Sequence, residues 1–334
     1  MAILLTGAAG FIGFHVAAAL LVRGEEVVGV DDLNPYYDPA LKAARLDRLR
    51  GRPGFSFAAA DIADRTAMAA LAAANPGIDR IVHLAAQAGV RHSLQAPFAY
   101  ASANLLGHLV MLELARGLGS GLRHLVYASS SSVYGGSVAL PFTEADRCDT
   151  PLSLYAATKR ADELMSHAYN HLFGLPMSGL RFFTVYGPWG RPDMAYFSFA
   201  EAILRGEPIT VYDGGEVRRD FTYIDDIVAG VLGCLDRPPA AGEPPRLFNI
   251  GNTSSERVSD LIALLEQSLG RRAVMLHAPR PAADVAETLA DVSLLHALTG
   301  FTPGTSLAVG IPRFAAWFKQ WRGVPVATSG LSAR

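Results

Sequence analysis

Cysteine is nearly absent, with Cys148 and Cys234 the only two in 334 residues. No metal-ligand spacing joins them, so neither a zinc site nor a disulfide framework can be read from the chain. Both thiols are expected to stay reduced, in a cytoplasmic protein. A charge excess is lacking too: the formal net charge is −2, and no basic stripe offers an electrostatic footing for nucleic acid. No basic n-region or cleavage site accompanies the opening MAILLTGAAG, which reads as a strand and not as a signal peptide. No apolar run reads as long enough to cross a bilayer, so no membrane partner is expected. His167 and His171 stand four apart, but without HExxH or a nearby third ligand they read as a partly exposed helical pair, and no metal is expected. No internal repeat is visible.

What the chain does have is apolar bulk. Half of its residues are hydrophobic and only 18% are charged, a composition that builds a large core and not a disordered chain. Strand-like runs at Ala2–Leu5, Glu26–Val30, Ser56–Ala59, Arg80–Leu84 and His124–Ala128 alternate with alanine-rich helical stretches, the first from Gly10 to Arg23. That βαβ rhythm predicts an α/β fold, a Rossmann-type doubly wound parallel sheet with a smaller C-terminal α/β substrate domain. The expected division is residues 1–188 for the nucleotide domain, 189–321 mainly for substrate, and 322–334 as a flexible tail. Segments near 221–250 are expected to return to the first domain. Asn34–Arg52 interrupts the rhythm as an aromatic and basic insertion, and a helix is expected over Leu154–Phe173.

Thr6-Gly7-Ala8-Ala9-Gly10-Phe11-Ile12-Gly13 lies between the first strand and the first helix. Gly7, Gly10 and Gly13 permit a tight turn, close approach of a pyrophosphate and close helix–strand packing, while Phe11 and Ile12 open a helix whose free N–H groups face the phosphates. Asp31 ends the second strand, close to the expected distance of about 20 residues downstream. A carboxylate there accepts hydrogen bonds from ribose hydroxyls and repels a 2′-phosphate, which favours NAD over NADP; Asp32 could share that role, and a solvated turn carboxylate is the alternative. Asp61-Ile62, after the third strand, falls where the adenine edge should lie.

Tyr155 and Lys159 form a YxxxK pair on one helix face. A nearby ammonium favours a phenolate, which can act as a base near neutral pH where a free phenol, with a pKa of about 10, cannot. Ser129-Ser130-Ser131-Ser132 ends a strand, and a hydroxyl there can hold a reacting sugar oxygen.

The glycine loop, the serine run and YxxxK together resemble the extended short-chain dehydrogenase/reductase superfamily, specifically its sugar-nucleotide epimerases, over about residues 1–320. The resemblance implies catalytic Ser130, Tyr155 and Lys159. It implies tightly bound NAD, regenerated each cycle, held by the glycine loop, Leu84-Ala85-Ala86 and Asn104 as well as by Tyr155 and Lys159. Arg219, in the block Arg218 to Asp226, should face a nucleotide diphosphate. Arg181 to Met194, the insertion Asn34 to Pro39 and the stretch Pro281 to Asp291 look like those of UDP-glucuronate 4-epimerases. Ala282-Ala283 depart from that pattern's Pro-Gly, and His92 stands where an aromatic is expected.

Dehydratases of this kind carry an Asp-Glu pair after the catalytic hydroxyl, and decarboxylases a Glu two positions after it. Here Ser131 and Ser132 occupy those places, which leaves simple epimerisation, since elimination needs an extra acid or base. Arg191 is expected to read a substrate carboxylate through its guanidinium fork, with Thr184, Ser130, Ser131 and Ser132 as further donors and Arg91, Arg219 and Asp284 completing the UDP-sugar site. Arg191 paired with Asp193 on a surface loop, and Arg219 in a structural ion pair, are the plainer alternatives. A homodimer packed through helices around Leu94–Arg116 and Tyr155–Phe173 is implied. Rival readings are a neutral UDP-sugar epimerase, a UDP-glucuronate decarboxylase, and an NAD-sensing binding protein without turnover.

Overall fold

The structure, a computed structural model, describes residues 1–324 apart from 241, 282 and 283. The expected tail from 325 onward and the Ala282-Ala283 departure therefore lie outside the described residues.

Twelve strands are described: β1 (Ala2–Thr6), β2 (Glu26–Asp31), β3 (Phe55–Ala59), β4 (Ile78–His83), β5 (His124–Ser130), β6 (Met177–Phe182), β7 (Thr184–Tyr186), β8 (Pro208–Tyr212), β9 (Arg218–Tyr223), β10 (Arg246–Ile250), β11 (Ser255–Arg257) and β12 (Val274–Ala278). Seven form one sheet in the order β3-β2-β1-β4-β5-β6-β10, parallel throughout. The expected doubly wound sheet is borne out. The chain order reverses between β1 and β4, which opens a crevice at the carboxyl ends of those strands.

Alternation along the strands splits the core in two, since successive side chains point to opposite faces. Ile3 and Leu5 of β1 join Val27, Val82, Val126 and Leu180 under the helices Phe11–Val22 and Ile224–Leu235. Leu4 joins Val28, Ile81, Leu125 and Tyr127 under Met68, Met111, Leu112 and Ala115 of the opposite helices. Both faces are covered, so β1, β4 and β6 are buried at every position, including the polar Asp79, Arg80 and His83 of β4 and Ser178 and Arg181 of β6. Truncating any of these leucines to alanine should cost about 2–5 kcal/mol.

Beyond β6 the elements shorten. β7, β9 and β11 make a three-stranded sheet, and β8 pairs with β12. β10 sits on the edge of the large sheet beside β6, and the helix Ile224–Leu235 packs on Phe11–Val22. Tyr186, Tyr196, Phe197, Phe314 and Phe318 extend the first core into this smaller part without a break.

Three local outcomes bear on the site. β5 runs two residues past its expected end, because Ser129 and Ser130 pair with Arg181 and Phe182; Ser130 is thereby fixed at the strand tip. The Asn34–Arg52 insertion contains a helix, Pro39–Leu49, with Asp38 Oδ1 accepting from the Ala40 N–H at 2.9 Å and proline in the first turn. The expected helix Leu154–Phe173 is present, capped by Ser153 and closed by left-handed Gly174. The helical stretch 97–121 corrects one expectation: at 25 residues it is long and apolar enough to cross a bilayer, and 44% of its apolar window is buried inside the fold.

Candidate active site

A cleft of about 970 Å³ opens at the sheet's reversal point and is closed on its far side by the smaller sheets. One end is built by backbone. Gly7 is left-handed, at φ 74°, and a Cβ on it would come within 2.8 Å of the Ala85 nitrogen. A Cβ on Gly13 would sit 2.0 Å from the Gly7 carbonyl oxygen. Only glycine lets the loop, β4's exit and the helix lie this close. Gly10 caps the helix Phe11–Val22 without a side-chain hydrogen bond, so the first-turn N–H groups of Phe11, Ile12 and Gly13 remain for a ligand at the positive helix end. Such a cradle fits a dinucleotide diphosphate.

Asp31, 6% exposed, lines the cleft with Asp32, Asp61, Ile62, Leu84, Ala85 and Ala86. Its Oδ2 accepts from the Ala9 N–H at 3.1 Å and its Oδ1 from the Leu33 N–H at 2.9 Å. Lys42 Nζ lies 3.3 Å from the same Oδ1 and 3.8 Å from Asp32. Asn104 is the exception among the expected cofactor residues. It lies behind the wall: Oδ1 accepts from the Gln87 N–H at 2.8 Å, and Nδ2 donates to Gln87 O and to Thr158 Oγ1. Its three amide hydrogen bonds are all to protein, so it shapes the wall beside the Tyr155 helix and offers nothing to a ligand.

Ser130, Ser131, Ser132, Tyr155 and Lys159 converge at mid-cleft. Ser130 Oγ accepts from the Ser132 N–H at 3.2 Å and the Ser132 hydroxyl at 2.9 Å. Its own proton is left to donate outward. Lys159, 3% exposed, donates to Ala128 O and to Asp162 Oδ2, both at 3.0 Å, and one N–H remains. Burial pushes the Asp162 carboxyl up to about 6, against the pull of Lys159. Burial and the Lys159 charge together lower neighbouring His83 to about 3. The Tyr155 ring lies edge-on to Tyr100, centroids 6.1 Å apart.

The other end is lined by arginine. Arg191 grips Asp193 through Nε at 3.0 Å and Nη2 at 2.5 Å, and the Tyr36 hydroxyl donates to Asp193 at 3.1 Å. Burial works against the Arg191 charge, but the Asp193 carboxylate more than offsets it, and the pair holds Asp193 below the usual carboxylate range. His92 packs on Tyr36, centroids 4.7 Å apart, filling the aromatic slot with an imidazole. Thr184 lines the same wall. Farther out, Arg91 and Arg219 lie 3.1 and 3.6 Å from Asp284. Burial, with Arg280 and Arg91 nearby, lowers the Arg219 pKa despite Asp284. Arginines thus outnumber carboxylates here, as suits an anion.

The family model described as "NAD dependent epimerase/dehydratase family" matches residues 3–251. The chain belongs to that family. It is 45% identical to a "Probable UDP-glucuronate 4-epimerase" of Rhizobium meliloti, over 96% of this chain and 97% of that one. It is 46% identical to "UDP-glucuronate 4-epimerase 3" of Arabidopsis thaliana, over 95% of this chain and 76% of that protein. Among solved structures, UDP-glucuronic acid 4-epimerase from Bacillus cereus, in complex with UDP-glucuronic acid and NAD, superposes with a TM-score of 0.89 at 34% identity, covering 96% of this chain and all of that one.

Tyr36 and Lys42 belong to the insertion, and no site role could be read for either from the sequence: Lys42 reaches back to Asp31, and Tyr36 reaches Asp193, 157 positions on.

Proposed function

We propose that the protein converts UDP-glucuronate and UDP-galacturonate into one another. The observation that carries this reading is the order of parts along one cleft: a dinucleotide cradle, then Ser130, Tyr155 and Lys159, then Arg191. NAD, when bound, supplies the hydride acceptor and donor at the sugar C4. The chain's own groups do the rest. Tyr155 removes the proton from the 4-hydroxyl and later returns it; Lys159, clamped by Ala128 and Asp162, keeps positive charge beside it. Ser130 donates to the C4 oxygen, supported from behind by Ser132. Arg191, aimed by Asp193, binds the sugar carboxylate with Thr184, Ser131 and Ser132 beside it, and holds it out of line with the C4 carbonyl, which suppresses loss of carbon dioxide. Arg91, Arg219 and Asp284 form the diphosphate end.

The test is incubation of the purified protein with UDP-glucuronate and no added cofactor, with products separated by chromatography and identified by NMR. UDP-galacturonate supports the reading. A pentose product with carbon dioxide reassigns the chain to decarboxylation, and conversion of UDP-glucose alone removes the carboxylate role of Arg191.

We further propose a homodimer in the cytoplasm. Phe98, Leu106, Leu164 and Leu172 leave 86%, 43%, 55% and 67% of their surface exposed along two neighbouring helical stretches, an apolar face that a second copy would cover. Both thiols are free and buried, in keeping with a reducing compartment. Light scattering on the purified protein tests the first proposal and cell fractionation the second.

A further inference from the structure

Arg45 is 0% exposed, and every one of its five N–H donors is used. Nε donates to Trp189 O at 3.1 Å; Nη2 donates to Trp189 O at 2.6 Å and Gly190 O at 3.0 Å. Nη1 donates to Ala9 O at 2.9 Å and to the Tyr37 hydroxyl at 2.7 Å. All the acceptors are neutral, and among the described residues no carboxylate forms an ion pair with this guanidinium. A buried cation without a counter-charge is retained only where its hydrogen bonds are complete, and here they join three separate segments.

All three segments converge on this one side chain. Ala9 belongs to the glycine loop. Trp189 and Gly190 immediately precede Arg191. Tyr37 follows Tyr36, whose hydroxyl donates to Asp193, the partner of Arg191. The backbone before Arg191 is not one the chain adopts unaided. Trp189 is left-handed at φ 61°, Gly187 stands at φ 143°, and a Cβ on Gly190 would lie 1.8 Å from Tyr196 Oη. Such a conformation persists only where its surroundings impose it. The Trp189 ring packs with Phe14, Trp317 and Trp321, and Arg45 takes the Trp189 and Gly190 carbonyls.

We propose that Arg45 is a positioning residue for substrate selection: by fixing Trp189 and Gly190 against Ala9, it sets where Arg191 meets the sugar carboxylate relative to the dinucleotide loop. The inference rests on the reading of Arg191 as the carboxylate reader. Displacement by about 1 Å of a group that positions substrate is enough to cost orders of magnitude in rate. Lysine at this position keeps the charge but has three donors on a single nitrogen, which cannot span carbonyls of two loops.

The experiment uses NAD-loaded protein carrying Tyr155→Phe, which binds without turnover, and titrates UDP-glucuronate, UDP-glucose and UDP by calorimetry. Adding Arg45→Lys is expected to weaken UDP-glucuronate about tenfold while UDP-glucose and UDP change less than about twofold. In an added Arg191→Ala background the same substitution should change nothing further, because both act through one contact. Tyr37→Phe removes one acceptor only, and a loss of about twofold confined to UDP-glucuronate is expected; this milder variant decides the matter if Arg45→Lys does not fold. Equal weakening of all three ligands, or of none, overturns the proposal. A parent protein that holds UDP-glucuronate no more tightly than UDP-glucose overturns the carboxylate reading itself, a failure visible before Arg45 is altered.

Discussion

Arg191 and Asp193, two residues apart on one loop, face each other as a two-bonded ion pair inside the cleft, Nε to Oδ1 at 3.0 Å and Nη2 to Oδ2 at 2.5 Å. The carboxylate takes one edge of the guanidinium and leaves Nη1 for a ligand, so the pair is an aimed donor and not a cancelled charge. The Asp193 pair that the sequence offered as the plainer alternative for Arg191 is present, but it lies within the cleft and not on an open surface loop.

Removing the cation should therefore hurt selectively. Arg191→Ala is expected to raise KM for UDP-glucuronate about 100-fold, the cost of stripping one partner from a partly buried charged contact, with little change for UDP-glucose. It should also raise the pentose by-product. Asp193→Asn keeps the cation but loosens its aim, and a loss of about tenfold in kcat/KM is expected. Initial rates and product NMR check both; a by-product level unmoved in Arg191→Ala would count against carboxylate holding as the guard on carbon dioxide.

Tyr155→Phe leaves the ring packed edge-on to Tyr100 but deletes the proton acceptor. Turnover should fall by at least about 10³-fold, within the range for loss of a general base, while the NAD released on denaturation stays at the wild-type amount per chain. Loss of cofactor together with activity would point to a fault in binding and leave the role of the phenol unsupported.

The glycine loop makes a sharper prediction because backbone blocks the way. Gly13→Ala would place a Cβ 2.0 Å from the Gly7 carbonyl oxygen, and no flexible side chain can move aside. The helix Phe11–Val22 must shift from β1, at a cost of about 3 kcal/mol or more. The variant is expected to purify without NAD and to melt well below the parent, as absorbance of the released cofactor and thermal unfolding would show. A stable, NAD-loaded Gly13→Ala protein would mean that the cradle is built otherwise.

Much of this was legible because the signals are local. Parallel strands buried on both faces appear as short apolar runs, the glycines mark the one turn where helix and strand touch, and YxxxK needs only helical spacing to bring Tyr155 and Lys159 to one side. What stayed hidden depends on contacts far along the chain. Asn104 was expected against the cofactor, yet its amide is spent on Gln87 and Thr158. Lys42 reads as part of a basic insertion until the helix Pro39–Leu49 turns it onto Asp31. Arg45 reaches carbonyls 144 and 145 positions away, and no periodicity encodes that.

Acid stability follows from which groups are buried neutral. Burial lowers His15 and His124 to about 4 and His83 to about 3, and His108 falls well below the ordinary imidazole value. Between roughly pH 4 and 6.5 the unfolded chain binds protons at these four sites and the native protein does not, so their contribution to stability is lost as the pH falls. Asp162 and Asp220 act oppositely: burial raises both to about 6, so the native state holds two protons that the unfolded chain has released above pH 4. Burial raises Glu144 and Asp225 in the same sense, whereas Glu25, Glu163 and Asp193 are, despite burial, held low by their arginine partners and add to the protons taken up on unfolding. The imidazoles and these ion pairs together make stability fall as the pH drops below about 6.5. Urea unfolding midpoints should therefore drop between pH 6 and pH 5. Asp162→Asn removes one opposing group and should steepen the fall by about one proton's worth, and a profile flat across that interval would mean that the buried imidazoles are already charged in the native protein.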